Sequence, residues 1–527
     1  MNAVVVPSYS LAPMAGPLDR NALLHLLRRC LFGVGHKELR FFEGKSLDRC
    51  LDTLLTPAAV TVPLQEDSDV ADPLVPKGKR WTGAPFENDL IDNRRGLFLK
   101  MWWSGRMLNR DFSLTEKMAL FWHNHYVVQI DMVQDSRYAY RYADMLHTHA
   151  LGNYKKLISE GTVNVAMLVY LNGNQNIKSA PNENFSRELF ELFTLGKGSG
   201  IKYTEDDIKA AARVLSGWKD DKDDICAVFH PELHDTGDKH FSDFFGNAVI
   251  RGKAGAEGAH ERQELVEMIF RKEETARFFC RNLYRWFVFG HIDEAVEEKI
   301  IAPLAQIFMD AGFEVVPVLR TLLGSEHFFD RAFRGCIVKS PVDFLVGAMQ
   351  QFDAISLAGI GKNHESWLQF YFSLSDMSMD IGNPPSVSGW PAYYQPPKYH
   401  RWWVNSASLS LRKKVFHEII SPKGMVFNGI NLSFNFLPFV EQLDDPANVN
   451  TLVEDSLRIL LAVEVDAKEK ARLKNILLSG QASERYWEES WNGYLKNENH
   501  PDAKSVVEYR LRTFFKTIMD LPEYQMS

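Results

Sequence analysis

The segment FWHNHYVV, residues 121–128, sets two histidines one residue apart among aromatic and apolar neighbours. Neutral imidazoles hold divalent ions at about 2.0–2.1 Å and carry protons near neutral pH. His123 and His125 are therefore candidate metal ligands or proton carriers. Geometry sets a condition on a shared metal. On a helix, residues two apart point about 200° away from each other, so the pair chelates only if the helix ends near Trp122 and the following YVVQI is extended. The alternative is two separately hydrogen-bonded histidines, with His125 continuing the apolar stripe of Leu114, Met118 and Phe121.

Three more stretches carry chemistry-bearing residues. In PNENFSRELFELFTLG, residues 181–196, a helical wheel gathers Glu183, Asn184, Arg187, Glu188 and Glu191 on one arc, opposite Phe185, Leu189, Phe190, Leu192 and Phe193. Inside a cleft, Glu183, Glu188 and Glu191 would be metal ligands or acid–base groups, and Arg187 would orient carboxylates or an anionic substrate. The 183–187–191 spacing equally suits ion pairs on a solvated face. In FHPELHDTGDKHF, residues 229–241, His234 is a candidate ligand or proton carrier, with Asp235 beside it as an orienting or catalytic carboxylate. A polar loop capped by its own Asp and Gly residues is the alternative. In PPSVSGWPAYYQPPKYHRWW, residues 384–403, Trp390, Tyr393, Tyr394 and Trp402 suit a platform for sugar rings or peptides, or else the packing of a rigid proline-rich loop.

Composition narrows the classes. The chain has 527 residues, 45% of them apolar and 24% charged, as in ordinary globular proteins. A net charge of −8 argues against nucleic acid as a partner. No run approaches the ~20 apolar residues of a membrane span. The N-terminal segment lacks a basic stretch followed by a continuous apolar one, so a cytoplasmic protein is expected, with the processed form of an exported protein as the alternative. Five scattered cysteines without a CxxC disfavour disulfide frameworks and zinc–thiolate sites. No G-x-S-x-G elbow, P-loop or dinucleotide fingerprint is present.

Helical punctuation must position these groups. LDRNALLHLLRRCLFG puts Leu23, Leu26, Leu27 and Cys30 on one face and stops at Gly33. Ser113 and Glu116 have capping-box spacing. Thr204 reads as an N-cap before Ile208, Ala211, Ala212 and Leu215, and Ser340 as a cap with Pro341 at the first helical position. The expected fold is mainly α: one large multi-helix core with a small irregular, β-containing insertion near 219–260. There ICAVFH and NAVIRG are candidate strands of one small ribbon. The expected organisation is N-terminal helices over 1–59, a loop or insertion over 60–92, a main helical domain over 93–440, and C-terminal helices over 441–527.

Several segments taken in order carry a family resemblance. They are EKMALFWHNHYVV, YADMLHTHALGNYKKLI, VAMLVYLNGNQNIKSAPNENFSRELFELFTLGKGSGIKYTEDDIKAAARVLSGW, FHPELHDTGDKHF, SPVDFLVGAMQQ and PPSVSGWP. Together they resemble the bacterial family catalogued as domain of unknown function 1800. The resemblance implies a largely helical protein, often encoded beside a sulfatase- or phosphatase-like partner, and implies no settled activity. It also implies a histidine in the ELHTLG part of the long motif, where this chain has Phe193. The functional expectation is an enzyme with a polar His/Glu site that uses a divalent metal ion in one version. The alternative is a non-catalytic binding or assembly protein that engages the sulfatase-like protein or a surface polymer through its aromatic loop.

Overall fold

A computed structural model describes residues 8–66, 70–109, 111–198, 202–354, 364–427, 430–496 and 501–527. The fold is mainly α, with small two-stranded antiparallel hairpins. Buried apolar side chains form one continuous core running from Ala22 in the first helix to Tyr524 near the C-terminus. Among the described residues no helix is long and apolar enough to cross a membrane.

Local chemistry accounts for most helix starts. Thr204 and Asp207 form a reciprocal capping box: Thr204 Oγ1 accepts from Asp207 N at 3.2 Å, and Asp207 Oδ2 accepts from Thr204 N at 2.7 Å. Ser340 Oγ accepts from Asp343 N at 3.1 Å, and Pro341 opens the helix Pro341–Gln351. The first helix, Arg20–Cys30, buries Leu23, Leu26, Leu27 and Cys30 and ends before Gly33. Gly33 serves a close approach rather than a cap, since a Cβ there would lie 2.5 Å from Gly347 Cα in the helix beside it.

The expected Ser113–Glu116 box does not form. The helix Thr115–His125 starts later, and Ser113 Oγ donates to Thr56 O at 2.6 Å. Glu116 turns into the core, where it meets Arg106 and lies 3.1 Å from His147. A buried guanidinium left without its carboxylate costs more than a lost cap.

The 219–260 insertion holds two hairpins rather than one ribbon. Cys226–Phe229 pairs with Trp218–Asp221, and Val249–Ile250 pairs with Lys239–His240. Each strand takes a nearby partner across a short loop, the entropically cheaper closure. A third hairpin, Met425–Phe427 with Ile430–Leu432, has no counterpart in the sequence reading. Between the helices Leu47–Leu54 and Asp89–Leu108 the described chain is irregular, and Asp72 fastens it by a 2.8 Å ion pair with Arg95 in which both side chains are buried.

Glu261, at the start of the helix Glu261–Phe270, pins the insertion to the body. Its carboxylate meets Lys239 Nζ, accepts from Lys253 N at 2.7 Å, and lies 3.2 Å from His234 Nε2. Burial acts to raise the Glu261 pKa, but the His234 and Lys239 contacts outweigh it and the group is held below the usual carboxylate range. Glu261→Gln leaves the fully buried Lys239 without its counter-charge. It should lower unfolding free energy by about 3–5 kcal/mol, read from urea midpoints. Pairing it with Lys239→Met should recover much of that loss, and equal losses in the single and double variants would contradict the assignment.

Candidate functional site

The two histidines both lie within the helix Thr115–His125, so the condition for joint chelation is not met. Instead, three consecutive residues reach four separate segments. His123 Nε2 accepts from Gly382 N at 3.1 Å, which leaves the proton on Nδ1 to be donated to Tyr142 Oη at 2.8 Å. Tyr142 Oη passes the chain on to Tyr126 O at 2.8 Å. The His123 ring lies between Trp103 and Trp390. Burial, with His147 nearby, pushes its pKa down to about 3.

Asn124 Oδ1 accepts from Trp390 N at 2.8 Å. Gly389 has φ +84°, and a Cβ there would lie 2.4 Å from that oxygen. His125 Nδ1 accepts from the Asn282 amide at 3.2 Å, and Nε2 donates to Phe193 O at 3.1 Å. Burial lowers the His125 pKa to about 4, and the bond to Phe193 O opposes this only in part. Both rings are thus neutral, with each nitrogen engaged by a protein group.

The acidic helix is α-helical over Asn184–Glu188 and then widens into a π-helical turn over Leu189–Thr194. Such turns recur at functional sites. The Phe193 carbonyl, in the last turn, is taken by His125 and by the Tyr154 hydroxyl. Its ring is buried 4.5 Å from that of Tyr126. Arg187 is committed within the acidic arc. It makes two bonds to Glu205, at 2.7 and 2.9 Å, lies 3.1 Å from Glu183 and 3.6 Å from Glu191, and has its pKa raised chiefly by Glu205. Glu191 also bonds Lys197 at 2.9 Å. Glu188 is half-buried, and burial followed by repulsion from Glu191 raises its pKa.

His125 and Glu191 meet at a cleft of about 300 Å³. Phe121, Phe278, Trp286, Tyr393 and Tyr394 give it an aromatic wall, with Trp286 and Tyr393 stacked at 4.1 Å and Tyr394 exposed at the rim. Asn124, Lys197, Asn282, Arg285 and Ser388 complete the polar lining. His123, Glu183, Arg187, Glu188, Trp390 and Trp402 do not line it. Trp390 is buried beside His123, and Trp402 is exposed with Lys398 Nζ 4.6 Å from its ring centroid.

His234 and Asp235 lie elsewhere, at the foot of the insertion. His234 Nδ1 bonds Ser216 O at 2.9 Å, while Nε2 is near Glu261 but angled away from a well-formed hydrogen bond. Asp235 grips Arg213 with two bonds of 2.8 and 3.0 Å. Among the described residues no three His, Cys, Asp or Glu side chains are grouped to hold a metal ion.

Asn282 and Arg285, on the helix Glu273–Phe287, were not singled out from sequence. A signal for Arg285 was present. Its positions three and four residues away hold Arg281, Asn282, Val288 and Phe289, so no acid on its own helix can pair with it.

A model of the family described as "Protein of unknown function (DUF1800)" matches residues 25–526. No curated protein and no solved structure matches the chain.

The two neutral histidines make stability pH-dependent. Their folded pKa values of about 3 and 4 lie below the ordinary 6.5, so the unfolded chain binds more protons between these limits. Their contribution is complete above about pH 6.5 and is lost as pH falls towards 4 and then 3, with an upper bound on the order of 3–5 kcal/mol per histidine. Urea midpoints should fall steadily from neutral pH to about pH 4.5, and His125→Asn should make the slope shallower. A flat wild-type profile, or an unchanged slope in the variant, would contradict the neutral assignment.

Proposed function

The chain belongs to the DUF1800 family of proteins of unknown function, and within that family we propose that the aromatic-walled cleft is an enzyme site for a small polar molecule. Glu191 is the group placed to move a proton. His125 fixes the carbonyl of the turn that carries Glu191, and Tyr393, Tyr394 and Trp286 form the surface on which the ligand lies. The observation that carries this reading is the meeting of Glu191 and His125, from separate helices, in one cleft with a stacked aromatic wall. Pockets of this size with a few convergent polar groups are the usual form of small-molecule sites. Lys197 at 2.9 Å and Arg187 at 3.6 Å hold the Glu191 carboxylate in place at the cleft.

A second reading, a binding or assembly protein, is favoured by the exposure of Tyr394 at 39% and Trp402 at 38% on the proline-rich segment. Purified protein should be screened against sugars, amino acids and hydroxy acids by thermal shift, with turnover followed by mass spectrometry. Under the enzyme reading, Glu191→Gln keeps the shift and lowers turnover roughly 100-fold or more, the scale of a lost acid–base group. Under the binding reading, no turnover occurs in either protein and Trp402→Ala abolishes the interaction. Divalent metal retained in stoichiometric amount by wild type and lost in Glu191→Gln would assign the expected ion to this cleft. Ligand shifts unaffected by any cleft substitution would end the enzyme reading, and shifts unaffected by Trp402→Ala would end the binding reading.

A further inference from the structure

We infer that the cleft takes a small anionic molecule whose carboxylate, phosphate or sulfate group is seated on Arg285 and whose flat body lies on the aromatic wall. This rests on the reading of the cleft as a ligand site and narrows it to a substrate class.

The charge inventory carries the argument. Glu191 is balanced by Lys197 at 2.9 Å and by Arg187 at 3.6 Å. His125 is neutral, its pKa lowered to about 4. Among the described residues no carboxylate lies within ion-pair distance of Arg285, and Glu297 acts on it only from further away. Its guanidinium makes a long bond of 3.3 Å to Asn282 Oδ1 and lies 5.9 Å from the centroid of the Tyr399 ring. Arg281, one turn earlier, meets Glu274 and Glu297. Arg285 is therefore the cleft cation without a matching acid. Its Nε is buried without a hydrogen-bond partner, and so is Nε1 of Trp286. Both unfilled groups are donors, so the complementary ligand must supply acceptors. Burial lowers the Arg285 pKa, and repulsion from Arg281 adds to this, against the opposing pull of Tyr399 and Glu297.

A half-buried cation beside unfilled donors is costly until an acceptor arrives. A guanidinium presents a planar fork that matches carboxylate, phosphate and sulfate oxygens two at a time. The stacked pair Trp286–Tyr393, with Tyr394 at the rim, offers the rest of the ligand a flat apolar surface. Arg187, the cation singled out from sequence for this task, is already occupied by Glu183 and Glu205.

The test uses the full chain and four probes of similar size: benzoate, phenyl phosphate, phenyl sulfate and the neutral benzyl alcohol. Binding is read by tryptophan fluorescence and calorimetry. At least one anion should bind roughly 10-fold or more tightly than benzyl alcohol. Arg285→Gln should weaken that anion roughly 10- to 100-fold and leave benzyl alcohol unchanged. Arg285→Lys, which keeps the charge but not the fork, should fall between wild type and Arg285→Gln and serves if the glutamine variant does not fold. The ranking of the three anions identifies the acidic group. Tyr394→Ala, at the exposed rim, should weaken every probe that binds. The inference is overturned if no anion binds, if anions and alcohol bind alike, or if Arg285→Gln leaves the anions unaffected. In the last two cases continued sensitivity to Tyr394→Ala would keep the cleft as a ligand site, whereas insensitivity to both substitutions would remove that reading as well.

Discussion

The hydrogen bonds of His123, Asn124 and His125 hold the parts of the cleft in register. Successive side chains on a helix point about 100° apart, so three neighbours at one helix end can address several segments. His123 takes the Gly382 amide, Asn124 takes the Trp390 amide, and His125 takes the Phe193 carbonyl and the Asn282 amide. The cleft wall over 387–394, the π-helical turn carrying Glu191, and the helix carrying Arg285 and Trp286 are all referred to this one tripeptide. The arrangement requires uncharged imidazoles. A protonated ring in so apolar a setting would lose several kcal/mol of hydration and one of its acceptor nitrogens. The aromatic surroundings that made the motif conspicuous also keep it neutral.

Several buried charges sit in compensated groups, each joining distant pieces of chain. Arg95 with Asp72 fastens the irregular segment before the helix Asp89–Leu108. Arg106, Glu116 and His147 link three helices, and Lys239, Glu261 and His234 clamp the insertion. Breaking one such group costs about 3–5 kcal/mol, a large share of the 5–15 kcal/mol by which domains are stable. Arg29, Arg262 and Arg412 are buried instead on carbonyl, hydroxyl and amide oxygens, and Arg285 differs from them in lining a cleft that a ligand can enter.

Caps and 3.6-residue stripes were readable in the sequence because they are local: Thr204 and Ser340 start helices as expected, and the mainly α class follows from their recurrence. Contacts made across space were not readable. Glu116 has the spacing of a cap, yet Arg106 and His147 claim it. The acidic arc around Arg187 was visible, but its strongest partner, Glu205, belongs to the next helix. His125 and Glu191 were both candidates, and the fold places them at one cleft. His234 and Asp235 were equally plausible by residue type and serve instead to fasten a loop. Residue types mark groups able to do chemistry, whereas the partners already bound decide which of them remain available.

Position 193 shows how that distinction bears on the proposed chemistry. The family resemblance leads one to expect a histidine there, and this chain has Phe193. Its contribution to the cleft runs through the backbone, because the carbonyl binds His125 and Tyr154 while the ring packs on Tyr126. A change of side chain can therefore leave the tripeptide's hold on the π-helical turn intact. It removes a titratable group, so proton transfer in the proposed site has to rest on side chains that this chain retains and that face the cavity. Of the acidic arc only Glu191 lines the cleft, next to a histidine whose two nitrogens are already engaged. The carboxylate is then left as the reacting group and the imidazole as the device that positions it.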